Sequence, residues 1–281
     1  MKDLGEIHWL LNLKIERDFS DKTISISQET YIDKIIKKIN LQDAKDCSTP
    51  LDLNIKLSKD QFPNSDEEKK TMAKVPYRQT IGSLMWATVA TRPDIAFAVS
   101  VPSQFLENPG RVHWEAVKRV MRYLESTKIK KLILGKRHEG LIGHADMDWA
   151  SQDHRHSISV YIFQIDGGPI SWSCKKQTIV ALSSTEAELI ALTHATKEAM
   201  WMKNFITEAF QPLKFPIKIY SDNQSAITIS YGNQQHAITK HFNIGLYFIH
   251  DNIQDKMLAD LLTKGLPSPR VNKLLQKIGI Y

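Results

Sequence analysis

The residues whose types and spacing could do chemistry are acids placed at the ends of regular elements. The stretch Leu141-Ile-Gly-His-Ala-Asp146-Met-Asp148-Trp149-Ala150 climbs from an apolar run into two carboxylates two residues apart. On a strand such residues share a face, so Asp146 and Asp148 point the same way. Carboxylates at a strand end suit a hard cation such as Mg²⁺, which takes oxygen ligands. Three further acids follow in chain order, Glu188, Asp222 and Asp260. Each also has a plain structural reading. Glu188 can simply favour the dipole of a helix start, Asp222 can cap the next helix, and Asp260 can be a polar position on a weakly amphipathic helix. Taken singly, these plain readings are the stronger ones. The order of the four acids on their elements is the more specific signal.

The elements that must position these acids are legible in the pattern. Residues 141–149, 158–165 and 169–174 read as three strands of an antiparallel meander, with Asp166-Gly167-Gly168 as a tight turn. Ser183 and Glu186 have capping-box spacing and open a helix running towards Phe210, before Pro212 and Pro216. Its phase puts Glu188 on one stripe with Leu192, Ala195, Ala199 and Met202, the face that packs on a sheet. Glu186 falls on a polar stripe with Thr193 and Lys197. A fourth strand over 217–221 returns through that helix and is expected parallel to the first.

The half before position 136 reads differently. Residues 6–28 form a hairpin turned at 18–22, and Ile32, Ile35, Ile36 and Ile39 mark an amphipathic helix. Residues 41–75 read as a long exposed connection. Three helices follow. Ile81, Leu84 and Met85 line the first. Thr91 and Pro93 open the second, which would run to about Leu106. Trp114, Val117, Met121 and Leu124 line the third. Pro102 falls midway along the second, where proline typically costs about 3 kcal/mol, so a kink or relaxed pressure on stability is expected. On the third, Arg111, Lys118, Arg119 and Arg122 could contact phosphates, and a solvated helix face accounts for them equally well.

Composition is that of an ordinary soluble globular chain, with a net charge of +6 spread over both halves. Binding to a polyanion is permitted but not demanded. The two cysteines, Cys47 and Cys174, have no metal-site spacing, and there is no signal-peptide layout or membrane-length apolar run. An intracellular location, cytoplasm or nucleus, is expected, with no membrane partner.

The segment from Gly143 to Leu266 resembles the ribonuclease H domain of copia-type LTR retrotransposon polyproteins. The resemblance is carried by His144-Ala-Asp146-Met-Asp-Trp-Ala150, Gly168-Pro-Ile-Ser-Trp172, Leu182-Ser-Ser-Thr-Glu-Ala-Glu188-Leu, Tyr220-Ser-Asp222-Asn-Gln-Ser-Ala-Ile227, Thr239-Lys-His241 and Leu258-Ala-Asp260-Leu-Leu-Thr-Lys264. The first half is similar to the end of the reverse transcriptase in the same polyproteins, through Met1-Lys-Asp-Leu-Gly5, Ser27-Gln-Glu-Thr-Tyr31, Ser48-Thr-Pro-Leu51, Thr91-Arg-Pro-Asp-Ile95 and His113-Trp-Glu-Ala-Val117. The resemblance implies an α/β fold, a ribonuclease H-like mixed sheet flanked by helices, preceded by a hairpin and a mostly helical thumb and connection segment. It implies boundaries at 1–53 (end of palm and thumb), 54–76 (exposed linker), 77–135 (helical thumb and connection), 136–266 (ribonuclease H-like) and 267–281 (tail helix).

The resemblance further implies that Asp146, Glu188, Asp222 and Asp260 hold two Mg²⁺ (or Mn²⁺) ions and hydrolyse the RNA strand of an RNA–DNA hybrid. The 2′-hydroxyl would distinguish RNA from DNA. Asp148 would be a neighbour and not a ligand. Two departures stand out. The Tyr-x-Asp-Asp motif of the family's polymerase is absent from this chain, so no polymerase activity is expected of it without a separate polymerase-bearing chain. Between Tyr247 and Asp260 the run is too short for the family's helix, edge strand and turn. Asp260 is then expected to hang directly from the preceding helix. The alternative function is an inactive remnant that at most binds nucleic acid. A transposase of integrase type would need the order Asp, Asp, Glu, which Glu188 between two aspartates opposes.

Overall fold

The structure, a computed structural model, describes residues 5–52, 54–135, 140–148, 156–181, 183–210 and 217–231, with 272, 275, 276 and 280. The chain divides into two compact units, 1–137 with 265–281, and 138–264. No helix among the described residues is long and apolar enough to cross a membrane.

The first unit opens on an antiparallel sheet ordered β1-β2-β3-β4. Its strands are β1 (Trp9–Leu10), β2 (Leu13–Asp18), β3 (Thr23–Ser27) and β4 (Leu132–Leu134). The expected turn at 18–22 is closed by Asp18, whose Oδ1 accepts from Ser20 N–H at 2.9 Å and Asp21 N–H at 3.0 Å. Strand β4 is an addition that its three residues were too few to signal. It joins β3, and Lys131 beside it shares the Glu16 carboxylate with Lys14, holding that carboxyl down at about 2. The C-terminal end returns to this sheet. Leu275 and Ile280 are fully buried, and Ile280 bridges Leu132.

Helices α1 (Glu29–Lys38), α2 (Asp66–Ala73), α3 (Tyr77–Ala90), α4 (Ala96–Ser103) and α5 (Arg111–Ser126) complete the unit. Ile32, Ile35 and Ile36 of α1 are buried as the period requires. Met85 is not, being half exposed, because the buried stripe of α3 runs through Tyr77, Ile81, Leu84 and Ala87. The second of the three helices begins as a 3₁₀ turn over Pro93–Ile95 and α4 ends at Ser103, short of Leu106. Pro102 therefore lies in the last turn. Its carbonyl accepts the Tyr77 hydroxyl at 2.8 Å, so no mid-helix kink is needed.

The stretch 41–75 is less free than its composition suggests, because α5 anchors it. Ser126 Oγ donates to the Cys47 carbonyl, and Arg119 donates to Thr49 and pairs with Asp52. His113 Nδ1 accepts from Gly110 N–H at 2.8 Å, which leaves Nε2–H to donate to the Ser58 carbonyl. Gly110 has no room for a side chain, since a Cβ there would meet the Gln61 carbonyl oxygen. Leu51, Leu57 and Pro63 are buried along the way.

At the centre of this unit Arg92 and Asp94 form a buried ion pair. Arg92 Nε and Nη2 reach the two Asp94 oxygens at 2.9 and 2.7 Å, a bidentate fork. Nη1 donates to Thr127 O and Nη2 also to Thr127 Oγ1, and Tyr123 Oη donates to Asp94 at 2.8 Å. The pair stitches the α3–α4 junction to the end of α5.

The second unit carries β5 (Leu141–Asp148), β6 (Ile158–Ile165), β7 (Gly168–Lys176), β8 (Lys218–Tyr220), α6 (Ser184–Ala209) and α7 (Gln224–Tyr231). The order is β7-β6-β5-β8, antiparallel throughout except for β8, which runs parallel to β5 as expected of a strand reached through a helix. Leu189, Leu192, Ala195, Ala199 and Met202 of α6 pack with Leu141, Ala145, Phe163, Ile217 and Ile219 in one apolar cluster. Gly143 must be glycine, since a Cβ would sit 2.4 Å from the Phe163 ring. This mixed sheet with packed helices, preceded by a hairpin and a helical segment, is the α/β fold class that the resemblance implied.

Removing one partner of a buried pair leaves the other charge unpaired. Arg92→Met is expected to lower unfolding stability by about 3–5 kcal/mol in urea titration. The double change Arg92→Met with Asp94→Leu should recover most of that loss.

Candidate functional site

Past His144 and Tyr220 the parallel ladder of β5 and β8 ends. The candidate acids stand just beyond this last pair, where the crossover helix α6 separates the two strands in sequence. A crevice at the carboxyl ends of such strands is where α/β sheets bind ligands. Three elements each supply one acid. Asp146 comes from the end of β5, Glu188 from the second turn of α6, and Asp222 from the loop after β8. One carboxylate oxygen of each lies within 4.8 Å of the other two. Among the described residues this is the acidic group that could hold a metal ion, and Asp148 is not part of it.

The local reasons for this placement are visible. Ser183 caps α6, its hydroxyl accepting from Glu186 N–H at 3.1 Å, which fixes where the first turn begins. The helical phase then turns Glu188 inward with Leu192 and Ala195. The cap of α7 is Asn223, whose Oδ1 accepts from Ala226 N–H at 2.8 Å. The capping role open to Asp222 is thus filled by its neighbour, and its carboxylate faces the other two acids. His144 and Tyr220, the last pair of the ladder, stack with ring centroids 5.2 Å apart. Sequence reasoning missed this pair, although each ring stands two residues before an acid.

The electrostatics are severe. Asp146 and Glu188 are 5% and 3% exposed, and Asp222 is exposed. Met147 N–H donates to Asp146 Oδ1 at 2.8 Å. Glu188 Oε2 is buried with no hydrogen-bond partner among the described residues. Burial, and then the charges of Asp146 and Asp222, push the Glu188 carboxyl up to about 9. A buried carboxylate with one oxygen lacking a donor, beside two others, fits a hard divalent cation. The donors are all oxygen, and one side is open for the waters that Mg²⁺ retains. Asp260 and the shortened 248–260 run lie outside the described residues.

The basic residues of α5 belong to the first unit and are engaged to different degrees. Arg111 is exposed at the first helical position. Lys118 pairs with Glu115 at 2.7 Å. Arg119 is committed to Thr49 and Asp52. Arg122 is half-buried.

Comparison with known proteins gives a consistent set of relatives. The whole chain is 43% identical to the retrovirus-related Pol polyprotein from transposon TNT 1-94 of Nicotiana tabacum, covering 22% of that polyprotein. It is 33% identical over its whole length to the Pol polyprotein from transposon RE1 of Arabidopsis thaliana, covering 19% of it. Transposon Ty5-1 protein YCL074W of Saccharomyces cerevisiae, a putative transposon protein by name, matches 70% of the chain at 33% identity, over 63% of its own length. The chain thus spans about a fifth of the length of the Pol polyproteins it matches. No family model matches it.

The raised Glu188 carboxyl has a definite pH signature. The folded, metal-free protein keeps a proton at Glu188 that the unfolded chain releases near the ordinary value of 4.5. The stabilisation from that proton is full below 4.5 and is lost as pH rises through about 9. The melting temperature of the second unit in chelator should therefore fall between those limits, and millimolar Mg²⁺ should flatten or reverse the slope. Glu188→Gln should remove the slope in chelator.

Proposed function

The chain belongs to the Pol polyproteins of copia-type retrotransposons, and from that premise we propose that its second unit is a ribonuclease H-type endonuclease. Its substrate would be the RNA strand of an RNA–DNA hybrid. The observation that carries this reading is the convergence of Asp146, Glu188 and Asp222 within 4.8 Å on a mixed sheet. The order strand acid, helix acid, acid after a strand matches the residues on which the family resemblance rests.

Asp146, Glu188 and Asp222 would hold Mg²⁺ or Mn²⁺, with Asp260 as the fourth acid that the resemblance adds. Bound there, the ions supply an activated water and a counter-charge for the leaving 3′ oxygen. The chain's own residues do the rest. The apolar core around buried Glu188 gives the site its low-dielectric side, where charge interactions are strongest. Asp146 is oriented by the Met147 N–H and cannot swing freely. Asp222, exposed, leaves the side from which a phosphodiester can approach. The 2′-hydroxyl is the group that separates RNA from DNA in such a site. Arg111 and Lys118 are the α5 residues with most freedom to meet phosphate, at a modest gain each and with a salt-dependent affinity.

A labelled RNA–DNA hybrid incubated with the purified chain and Mg²⁺ should be cut in its RNA strand, with a DNA duplex of the same sequence left intact. Asp146→Asn should slow cleavage by roughly a hundredfold or more, the scale of losing one preorganised electrostatic partner. Absence of cleavage, or cleavage indifferent to Asp146→Asn, would defeat the enzyme reading. Hybrid retention without cleavage, with a steep salt dependence, would instead support an inactive nucleic-acid-binding remnant.

A further inference from the structure

One buried side chain near the acids has no part in the chemistry described above. Gln177 follows the last residue of β7 and is 2% exposed. Its backbone is held on both sides. Its N–H donates to the Ser157 carbonyl at 2.8 Å, and His156 Nδ1–H donates to its own carbonyl at 2.9 Å. Its side-chain Nε2 donates to Ser159 Oγ at 2.8 Å and to the Ala187 carbonyl at 2.9 Å. A carbonyl can only accept, so the amide must face this way round. The other end, Oε1, is buried with no hydrogen-bond partner among the described residues.

This arrangement is a poor way to gain stability. A buried polar atom without a partner costs about 1–3 kcal/mol, and an apolar side chain of the same size would avoid that cost. What the amide does achieve is geometric. It spans from β6 to α6 and grips the peptide carbonyl immediately before Glu188. Ser183 holds the first turn of α6 through Glu186 N–H, but its grip ends before Glu188.

We propose that Gln177 is a positioning residue for Glu188, fixing the helix backbone at Ala187 so that the Glu188 carboxylate stands where a divalent cation needs it. The inference rests on the reading that the three acids hold such a cation. Groups that orient metal ligands typically control affinity by roughly 10–100-fold.

The test is Mn²⁺ affinity of the full chain, followed by electron paramagnetic resonance, with the melting temperature of each variant measured in chelator. Wild type should bind Mn²⁺ and Asp146→Asn should not. Gln177→Met, close in size but without the amide, should weaken binding roughly tenfold or more. Ser159→Ala leaves the bond to Ala187 in place and should weaken it far less. If Gln177→Met does not fold, Gln177→Asn, which keeps the amide and shortens its reach, carries the same expectation. Unchanged Mn²⁺ affinity in a folded Gln177 variant, whatever its melting temperature, would overturn the positioning role. Failure of wild type to bind Mn²⁺ would overturn the cation reading itself, and the positioning role with it. The two failures are thus distinct.

Discussion

Mutual repulsion among Asp146, Glu188 and Asp222 is the constraint to which the second unit answers. Two unit charges about 4 Å apart repel by about 4 kcal/mol at the effective dielectric of a protein surface, and more when buried. Three carboxylates with oxygens within 4.8 Å, two of them buried, would push apart on any soft support. The support is correspondingly stiff. Asp146 is near the end of an inner strand of a four-stranded sheet, Glu188 is on a helix whose apolar face is keyed into the core, and Asp222 is pinned between the end of β8 and the Asn223 cap. The aromatic stack of His144 on Tyr220 closes the ladder of β5 and β8. Only a proton or a cation relieves the charge, and the site is built to hold one or the other.

The two units show opposite treatments of buried charge. Arg92 and Asp94 are as buried as Glu188, yet the fork between them, Thr127 and the Tyr123 hydroxyl satisfy their charges and main donors internally. That network asks for nothing from outside and is read as architecture. The Glu188 oxygen has no such internal answer. A buried acid oxygen without a partner, within reach of two other carboxylates, is informative because such groups gather at functional sites.

Much of this was legible in the chain. The meander, the capped helix at Ser183, the parallel return of β8 and the inward phase of Glu188 all follow from local rules: alternation, capping chemistry and crossover geometry. What escaped was set by distant partners. Three-residue β4 carries no period of its own and exists because β3 offers an edge. Met85 is apolar and correctly spaced for the buried stripe, but the packing of α3 turns it outward. Pro102 looked disruptive because the end of α4 could not be placed from an apolar run. Arg119 reads as a free cation in sequence, and only the fold brings Thr49 and Asp52 to it. Strand geometry alone could not rank Asp146 over Asp148, because pleating puts both on one face. The tertiary approach of Glu188 and Asp222 separates them.

The bridge between Ile280 and Leu132 has a consequence for the order in which the protein is made. Strand β4 leaves the ribosome before the second unit, with β3 already available on one side. Its contact on the other side comes from a residue translated only after the whole second unit. Chains fold in the order of synthesis where they can, and distant pairings are the slow ones. The first unit is thus discontinuous in the chain, and its closure by Ile280 is a pairing across the length of the second unit. The contacts that Leu275 and Ile280 make within the first unit can form only after the whole second unit has been translated.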